Sequence, residues 1–555
     1  MSLAKIPWID PVKKGQVWGC IALAAVILLF GLIRIRLLNF PLERDEGEYA
    51  YGGQLILRGI APYQLCYTMK LPGTAAAYAL IEAVFGSSGP GIHLGFLLVN
   101  SATIVLMFLL GRRLFGALGG VVASATYGLL SATPAVLGFS AHATHFVVLP
   151  ALGGTLLLLR AKESQRAALF FWSGFLLGLA PLMKQPGAFF VLFGIFWVAC
   201  PGWPGNRNFR LADRRVLPWR TVLWQIATLL FGAILPFGLT CVVLLRAGAF
   251  RKFWFWTFSY AREYGTSIPL WRGMHNVWAM SLAVAAGAFF IWLLALLSPI
   301  PLWWDAKTRR QIIFLGSFSI FSFVAVCLGF HARNHYFVLV LPAVSLLCAG
   351  AVSAGTNLML ESGASRKGAV LPAVVFFCCF VLSLLQKREF YLVGDPVTLC
   401  RKVHGPNPFP EALQISEFIK NHSGTGERVA VIGSEPEIYF ESDRLSATGY
   451  MYTYPLMEAQ PFASMMQKEM ISEVEAAQPR FVVYVDCWSS WLSGPDSDQT
   501  VFEWVDHYVR ARYHLVGIVD EVNEGTEYHW GDAATYQPRS KNRLFVYESD
   551  RERQN

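Results

Sequence analysis

Long apolar runs recur along this chain, near 17–38, 91–111, 117–138, 144–160, 168–183, 187–201, 220–245, 276–298, 311–330, 335–353 and 369–386. A helix needs roughly 20 apolar residues to cross the hydrocarbon of a bilayer. Lipid offers no hydrogen-bond partner, so each run must satisfy its own backbone, and the helix does that. The sequence therefore predicts an α-helical polytopic membrane protein of about eleven transmembrane helices, the pair at 168–201 being short. Composition agrees: 54% of the 555 residues are hydrophobic and 15% charged, against roughly 25% charged in soluble domains.

The formal net charge is +9. Most of the excess lies in short loops between apolar runs, where it sets orientation, so no nucleic-acid partner is expected. Lys5, Lys13 and Lys14, then "GRRLFG", "RAKESQR", "GNRNFRLADRRVLPWR", "DAKTRR" and "SRKG", all fall on one side if eleven spans are counted. That side reads as cytoplasmic. The opposite loops surround Asp45, His142, Lys184, "GAFRKFWFWTFSYAREYGTS" and "GFHARNHYF". The expected location is the cell inner (cytoplasmic) membrane, with the C-terminal part periplasmic or otherwise extracytoplasmic.

The ten cysteines contain no CxxC pair, which argues against a zinc or redox site. Seven lie in or beside apolar runs; a disulfide among Cys66, Cys400 and Cys487 has no support. The first apolar run lacks a small-residue cleavage site and reads as an uncleaved span. From about residue 388 charges, Gly and Pro increase. "ERVAVIG", "RFVVYVD", "YHLVGIVD" and "NRLFVYES" read as short buried strands, and "PEALQISEFIKN" and "SMMQKEMISEVEAAQ" as amphipathic helices. The expected division is a transmembrane unit at 1–387 and a soluble α/β domain at 388–555. "SGTGERVAVIG" has its glycines before the strand rather than after it, so it is not a dinucleotide fingerprint.

The first external loop reads "FPLERDEGEYAYGG". Such an acid cluster could be a solvated cap. Here a partly apolar segment follows, "AYGGQLILRGIAPYQL", which looks like an amphipathic helix lying along the membrane interface. Asp45 and Glu46 begin that helix, and Lys70 in "YTMKLPGTAAAYALIEAVFG" begins the next. Facing each other across a cavity, a carboxylate and a lysine would suit activation of an acceptor and binding of a lipid phosphate.

The block "RDEGEYAYGG…LRGIAPYQ…KLPGTAAAYAL…FG" resembles the start of GT-C glycosyltransferases of the protein mannosyltransferase and ArnT type, including RgtA/B/C/D-like bacterial members. Asp45, Glu46, Tyr49 and Lys70 match the acid, the tyrosine and the lysine of that family's first loop. "HARNHYFVLVLPA" and "VAVIGSEPEIYFESDRLSAT" match more weakly. The resemblance implies transfer of a sugar from a polyprenyl-phosphate donor to a lipid, glycan or protein acceptor on the outer side, with inversion. Asp45 and Glu46 would be catalytic, and Lys70 would neutralise the leaving phosphate. Met69 stands where ArnT-type enzymes carry an acid, which weighs against aminoarabinose. No large β-rich insert is present, so a glycan or lipid is expected before a protein as acceptor.

Other polar residues on the outer side are candidates for substrate binding. Arg44 reads either as a phosphate contact or as the i,i+4 partner of Glu48. His142 and His145, three apart, read as substrate contacts, a metal pair without an obvious third ligand, or interfacial histidines. Lys184 interrupts two apolar runs and reads as a donor-phosphate ligand or as a snorkelling lysine. Arg333 and His335 in "HARNHYF" lie at the end of a span, and Arg333 is a natural phosphate fork. No metal site is assigned and no cofactor is expected, a divalent cation being left open. The competing function is transport or flipping of a lipid-linked sugar. Such carriers show paired broken helices in two related halves, and no half-to-half similarity is found here.

Overall fold

The structure, a computed structural model, describes residues 11–200, 218–365, 367–522 and 525–550. Lys5 and most of the basic loop "GNRNFRLADRRVLPWR" lie outside the described residues.

Helix α1 spans Pro11–Arg36, α2 Arg44–Leu57, α3 Gly73–Phe85, α4 Gly89–Leu130, α5 Ala143–Ser164, α6 Ala167–Met183, α7 Ala188–Ala199 and α8 Trp219–Arg246. Two short helices, α9 (Phe250–Trp254) and α10 (Ala261–Thr266), flank a π-helical turn. Then come α11 (Leu270–Ala286), α12 (Phe289–Leu297), α13 (Pro299–Trp304), α14 (Ile312–Cys327), α15 (Leu341–Glu361) and α16 (Leu371–Gln386).

Among the described residues seven helices are long and apolar enough to cross a membrane, or eight if the bent pair Leu270–Ala286 and Phe289–Trp304 is one span. Helix α4, 42 residues long, is two spans in disguise. Gly116 breaks it with φ 82°, a left-handed conformation that a side chain disfavours. Beyond the break the chain folds back: a Cβ on Gly111 would stand 2.7 Å from the Cβ of Ala123, whereas residues twelve apart on a straight helix lie about 18 Å apart. With α4 counted as two and the shorter α6 and α7 included, all the expected apolar runs lie on helices. Helices α4, α5 and α15 form the packed centre, while α1, α8 and α16 present apolar side chains outward, as toward lipid.

The C-terminal lobe carries a mixed six-stranded sheet in the order β2-β1-β3-β6-β4-β5. Its strands are β1 (Arg428–Ile432), β2 (Leu445–Ser446), β3 (Phe481–Asp486), β4 (Tyr513–Val522), β5 (Gly525–Trp530) and β6 (Arg543–Ser549). The four predicted strands are β1, β3, β4 and β6. β2 is two residues long, and β5 ("GTEYHW") is a half-exposed edge strand without apolar alternation. The predicted helices are α18 (Phe409–Asn421) and α20 (Ala463–Ala477), joined by α17 (Pro396–His404), α19 (Glu437–Ser442) and α21 (Thr500–Arg512) and by two single turns, Tyr454–Met457 and Trp488–Trp491. Cys66, Cys400 and Cys487 are free and buried.

The segment between α1 and α3 departs from expectation. Helix α2 does not lie on a lipid surface: Tyr49, Ala50, Tyr51 and Leu55 are buried between α3 and the lobe. One apolar core runs from these residues through Tyr78 and Phe146 into Ile415, Val431 and Phe481 of the lobe. A Cβ on Gly47 would stand 2.5 Å from the amide nitrogen of Glu437, so only glycine lets α2 and α19 approach this closely. The aromatic segment 253–264 is likewise inward: Phe253, Trp256 and Tyr260 are buried, Tyr260 donates to Glu458 at 2.7 Å, and Lys252 pairs with Glu469. The membrane unit thus grips the lobe, and a cavity is enclosed where they meet.

Candidate active site

The cavity is about 590 Å³. Its floor is the start of α2. Glu43 caps that helix, accepting from the Glu46 amide at 3.0 Å, while the Glu46 carboxylate accepts from the Glu43 amide at 3.4 Å. Acids in the first turn also suit the helix dipole. At 3.6 residues per turn, Asp45, Glu48 and Tyr49 share one face, and Glu46 points about 100° away.

That geometry assigns the acids different work. Lys70 donates to Asp45 Oδ1 at 2.7 Å and pairs with Glu48 as well. Its ammonium lies 4.5 Å from the Tyr49 ring centroid. Tyr49 is buried beneath Lys70 and does not line the main cavity. Glu46 is corrected by the structure: its side chain is 0% exposed, against 21% for Asp45. It accepts from the Ala141 amide at 2.6 Å and meets His93 at 3.1 Å, outside the cavity. Glu46 therefore ties the loop to the bundle and does not line the cavity. Arg44 lines the cavity but does not make its expected helical pair. It pairs not with Glu48 but with Glu435 of the lobe at 2.8 Å, and it donates to the Ser434 carbonyl.

The other wall comes from three distant segments. His142, preceding α5, stands 3.5 Å from Glu43 Oε1 and 3.7 Å from Asp45 Oδ2. His335 stacks on His142 with centroids 4.1 Å apart and lies 3.8 Å from Asp45 Oδ2. Lys184, in the break between α6 and α7, reaches His335 Nε2 at 3.2 Å and sits 4.1 Å from the Tyr336 ring centroid. Arg333 is exposed at the cavity wall. Among the described residues neither Lys184 nor Arg333 forms an ion pair with a carboxylate. His145 does not join them. It is buried against Phe96 with centroids 4.8 Å apart, so the i,i+3 histidine pair is not a unit. One helical turn separates the two along α5, and only His142, at its end, meets the cavity.

Electrostatics follow the packing. Burial pushes the Asp45 carboxyl up, but Lys70, His142, His335 and Lys184 outweigh it and hold the group well below the usual carboxylate range. Burial pushes Glu43 up to about 7, against the pull of His142. Burial pushes Lys184 down to about 7, with Asp45 opposing. His335 is held well below its usual value by burial and by the neighbouring His142 and Lys184, so its neutral Nε2 can accept from the lysine.

Asp45, His142 and His335 each bring one donor atom, all within 4.8 Å of one another. That spacing could grip a divalent cation, but the surroundings fit one poorly. The Lys184 ammonium occupies the His335 lone pair and the Lys70 ammonium occupies Asp45 Oδ1; both would repel a dication.

Two participants escaped sequence reasoning. Glu48 was legible, since it lies three residues after Asp45 and therefore on its helical face. Tyr452 was not. It arrives from the lobe, 407 positions along the chain from Asp45, and its hydroxyl lies 2.9 Å from Asp45 Oδ1.

Comparison with known proteins agrees with this architecture. The family model for dolichyl-phosphate-mannose-protein mannosyltransferases matches residues 70–211, a stretch that begins at Lys70 and leaves out Asp45. No curated protein sequence matches. ArnT from Cupriavidus metallidurans bound to undecaprenyl phosphate superposes with TM-score 0.55 at 17% identity, over 96% of this chain and 98% of that one. Its apo form gives 0.53 at 15%, with the same coverage. The archaeal oligosaccharyltransferase AglB from Archaeoglobus fulgidus, in complex with an inhibitory peptide and a dolichol-phosphate, gives 0.50 at 13%, over 95% of this chain and 75% of that one. The fold is therefore GT-C, the one shared with ArnT, and residues 70–211 are similar to the mannosyltransferase family model.

Proposed function

We propose that this protein is a membrane glycosyltransferase that moves a sugar from a polyprenyl-phosphate-linked donor to a glycan or lipid acceptor, with inversion, on the extracytoplasmic side. Residues 1–387 would form the catalytic membrane unit and 388–555 its outer lobe. The observation that carries the reading is the pairing, across one cavity, of an ionised Asp45 with two cations, Lys184 and Arg333, that have no carboxylate partner among the described residues. The partial family match supports it, as does the fold shared with structures that hold undecaprenyl phosphate and dolichol-phosphate.

The roles follow from the geometry. Asp45 Oδ1 is engaged by Lys70 and Tyr452, leaving Oδ2 facing the cavity between His142 and His335. Oδ2 takes the proton of the acceptor hydroxyl as its oxygen bonds to the anomeric carbon. The bond from that carbon to the phosphate oxygen breaks on the opposite face, which inverts the centre. Lys184 and Arg333 bind the phosphate and stabilise the charge that grows on it as it leaves. Lys70, already held by two carboxylates, orients Asp45 and adds positive potential from behind.

Asp45→Asn keeps the shape and removes the base. The purified protein is assayed with a panel of polyprenyl-phosphate sugars, alongside mass spectrometry of envelope glycans from cells with and without it. We expect the variant to lose about 10²–10⁴ in kcat and one sugar to disappear from the glycan profile. Asp45→Asn transferring sugar at the parent rate would refute the assignment.

A further inference from the structure

The soluble lobe closes the cavity with a side chain aimed at the proposed base. Tyr452 follows β2 on a tyrosine-rich stretch, Tyr450, Tyr452 and Tyr454. Its hydroxyl lies 2.9 Å from Asp45 Oδ1, 3.1 Å from the Arg44 carbonyl and 3.5 Å from Lys70 Nζ. The Lys70 ammonium also sits 5.1 Å from its ring centroid. A phenol has one proton to give, and the carboxylate, being charged, is the stronger acceptor. Asp45 Oδ1 thus receives two donors from two directions, one from the membrane unit and one from the lobe.

The loop that brings Tyr452 is itself fastened. Thr453, the next residue, donates its amide to Ser434 Oγ at 2.9 Å, and its hydroxyl donates to the Ser490 carbonyl at 2.8 Å. Ser434 and Glu435 are the partners of Arg44, which neighbours Asp45. The lobe therefore registers Tyr452 and the start of α2 against one another through a single buried network.

We propose that Tyr452 is a positioning residue for the transfer reaction. By engaging Oδ1, it fixes the Asp45 carboxylate so that Oδ2 faces the attacking hydroxyl, which makes the lobe part of the active site. The proposal rests on the reading of Asp45 as the base. Tyr452 has no place in donor or acceptor binding under it, so the rate and the affinities should separate. A hydrogen bond to a charged group is the kind whose loss is felt most, and misplacing a catalytic group by an ångström slows chemistry severely.

The test is Tyr452→Phe in the full-length protein in detergent, assayed with the polyprenyl-phosphate sugar that the parent uses. Phenylalanine keeps the ring over Lys70 and removes only the hydroxyl. We expect kcat to fall about tenfold, with KM for donor and acceptor within about twofold of the parent. Tyr452→4-aminophenylalanine returns an N–H donor to the same place and should recover most of the lost kcat. It serves as the deciding variant if Tyr452→Phe fails to fold. An unchanged kcat in Tyr452→Phe overturns the proposal, as does a loss that the amino variant does not repair. Asp45→Asn separates the two levels: inactive Asp45→Asn with fully active Tyr452→Phe removes only the role of Tyr452, whereas active Asp45→Asn removes the base itself.

Discussion

Raising the pH from about 6 to about 9 should weaken the donor's hold on the protein chiefly through one lysine. Lys184 is buried beside His335 and Tyr336, and burial brings its ammonium down to about 7. A sugar phosphodiester carries one negative charge throughout this range, so any change in affinity belongs to the protein. The lysine is charged below its folded value and neutral above it, and only the charged form attracts phosphate strongly. A hydrogen bond to a charged group contributes about 1.5–3 kcal/mol. At 1.36 kcal/mol per unit, phosphate binding would raise the Lys184 value by roughly one to two units. The donor KM should therefore be flat below pH about 7, climb toward tenfold per unit, and level off about 10- to 100-fold higher. Glu43, also raised to about 7, adds negative charge over the same interval and pushes the same way. Lys184→Arg separates them, because guanidinium stays charged throughout. Its KM should keep only the smaller rise that Glu43 causes, and Lys184→Met should sit well above the parent at low pH and near the parent's plateau at high pH. The assay is initial rates of transfer in detergent over a series of donor concentrations. A parent KM that does not change with pH, or a rise that survives intact in Lys184→Arg, would show that Lys184 does not bind the phosphate.

Glu46→Gln should lower the thermal midpoint, by about 1–3 kcal/mol of stability, and leave kcat of the folded fraction unchanged, because Glu46 holds His93 and the Ala141 amide rather than substrate. A hundredfold loss of kcat at full stability would return Glu46 to the chemistry. Chelation by EDTA should leave transfer within about twofold, since the Lys184 ammonium takes the His335 lone pair and the Lys70 ammonium holds Asp45 Oδ1 close behind the point where Asp45, His142 and His335 converge; a loss restored by added metal would reverse that reading. Asn421→Cys, exposed on the lobe, should react with an impermeant maleimide from outside intact cells. Labelling only after lysis would invert the topology.

The apolar runs by themselves determined a helical membrane protein, because any segment of that length without charge has one way to satisfy its backbone in lipid. They placed even the turn at Gly116, where the arginines of "GRRLFG" interrupt the hydropathy. Four strands of the lobe were legible from their buried apolar residues, whereas the polar edge strand Gly525–Trp530 carried no such signal. The pattern around Asp45, Tyr49 and Lys70 marked the site, since those residues lie close in sequence and share one short helix and its following loop. Only the tertiary structure decided how the work is divided. Helical phase turns Asp45 into the cavity and Glu46 away from it, and a fraction of a turn cannot be read from an acid cluster. Packing of α5 against its neighbours admits His142 and excludes His145. Folding of the lobe onto α2 redirects Arg44 to Glu435 and delivers Tyr452. These contacts join residues hundreds of positions apart, and local propensity carries no information about partners that only packing brings together.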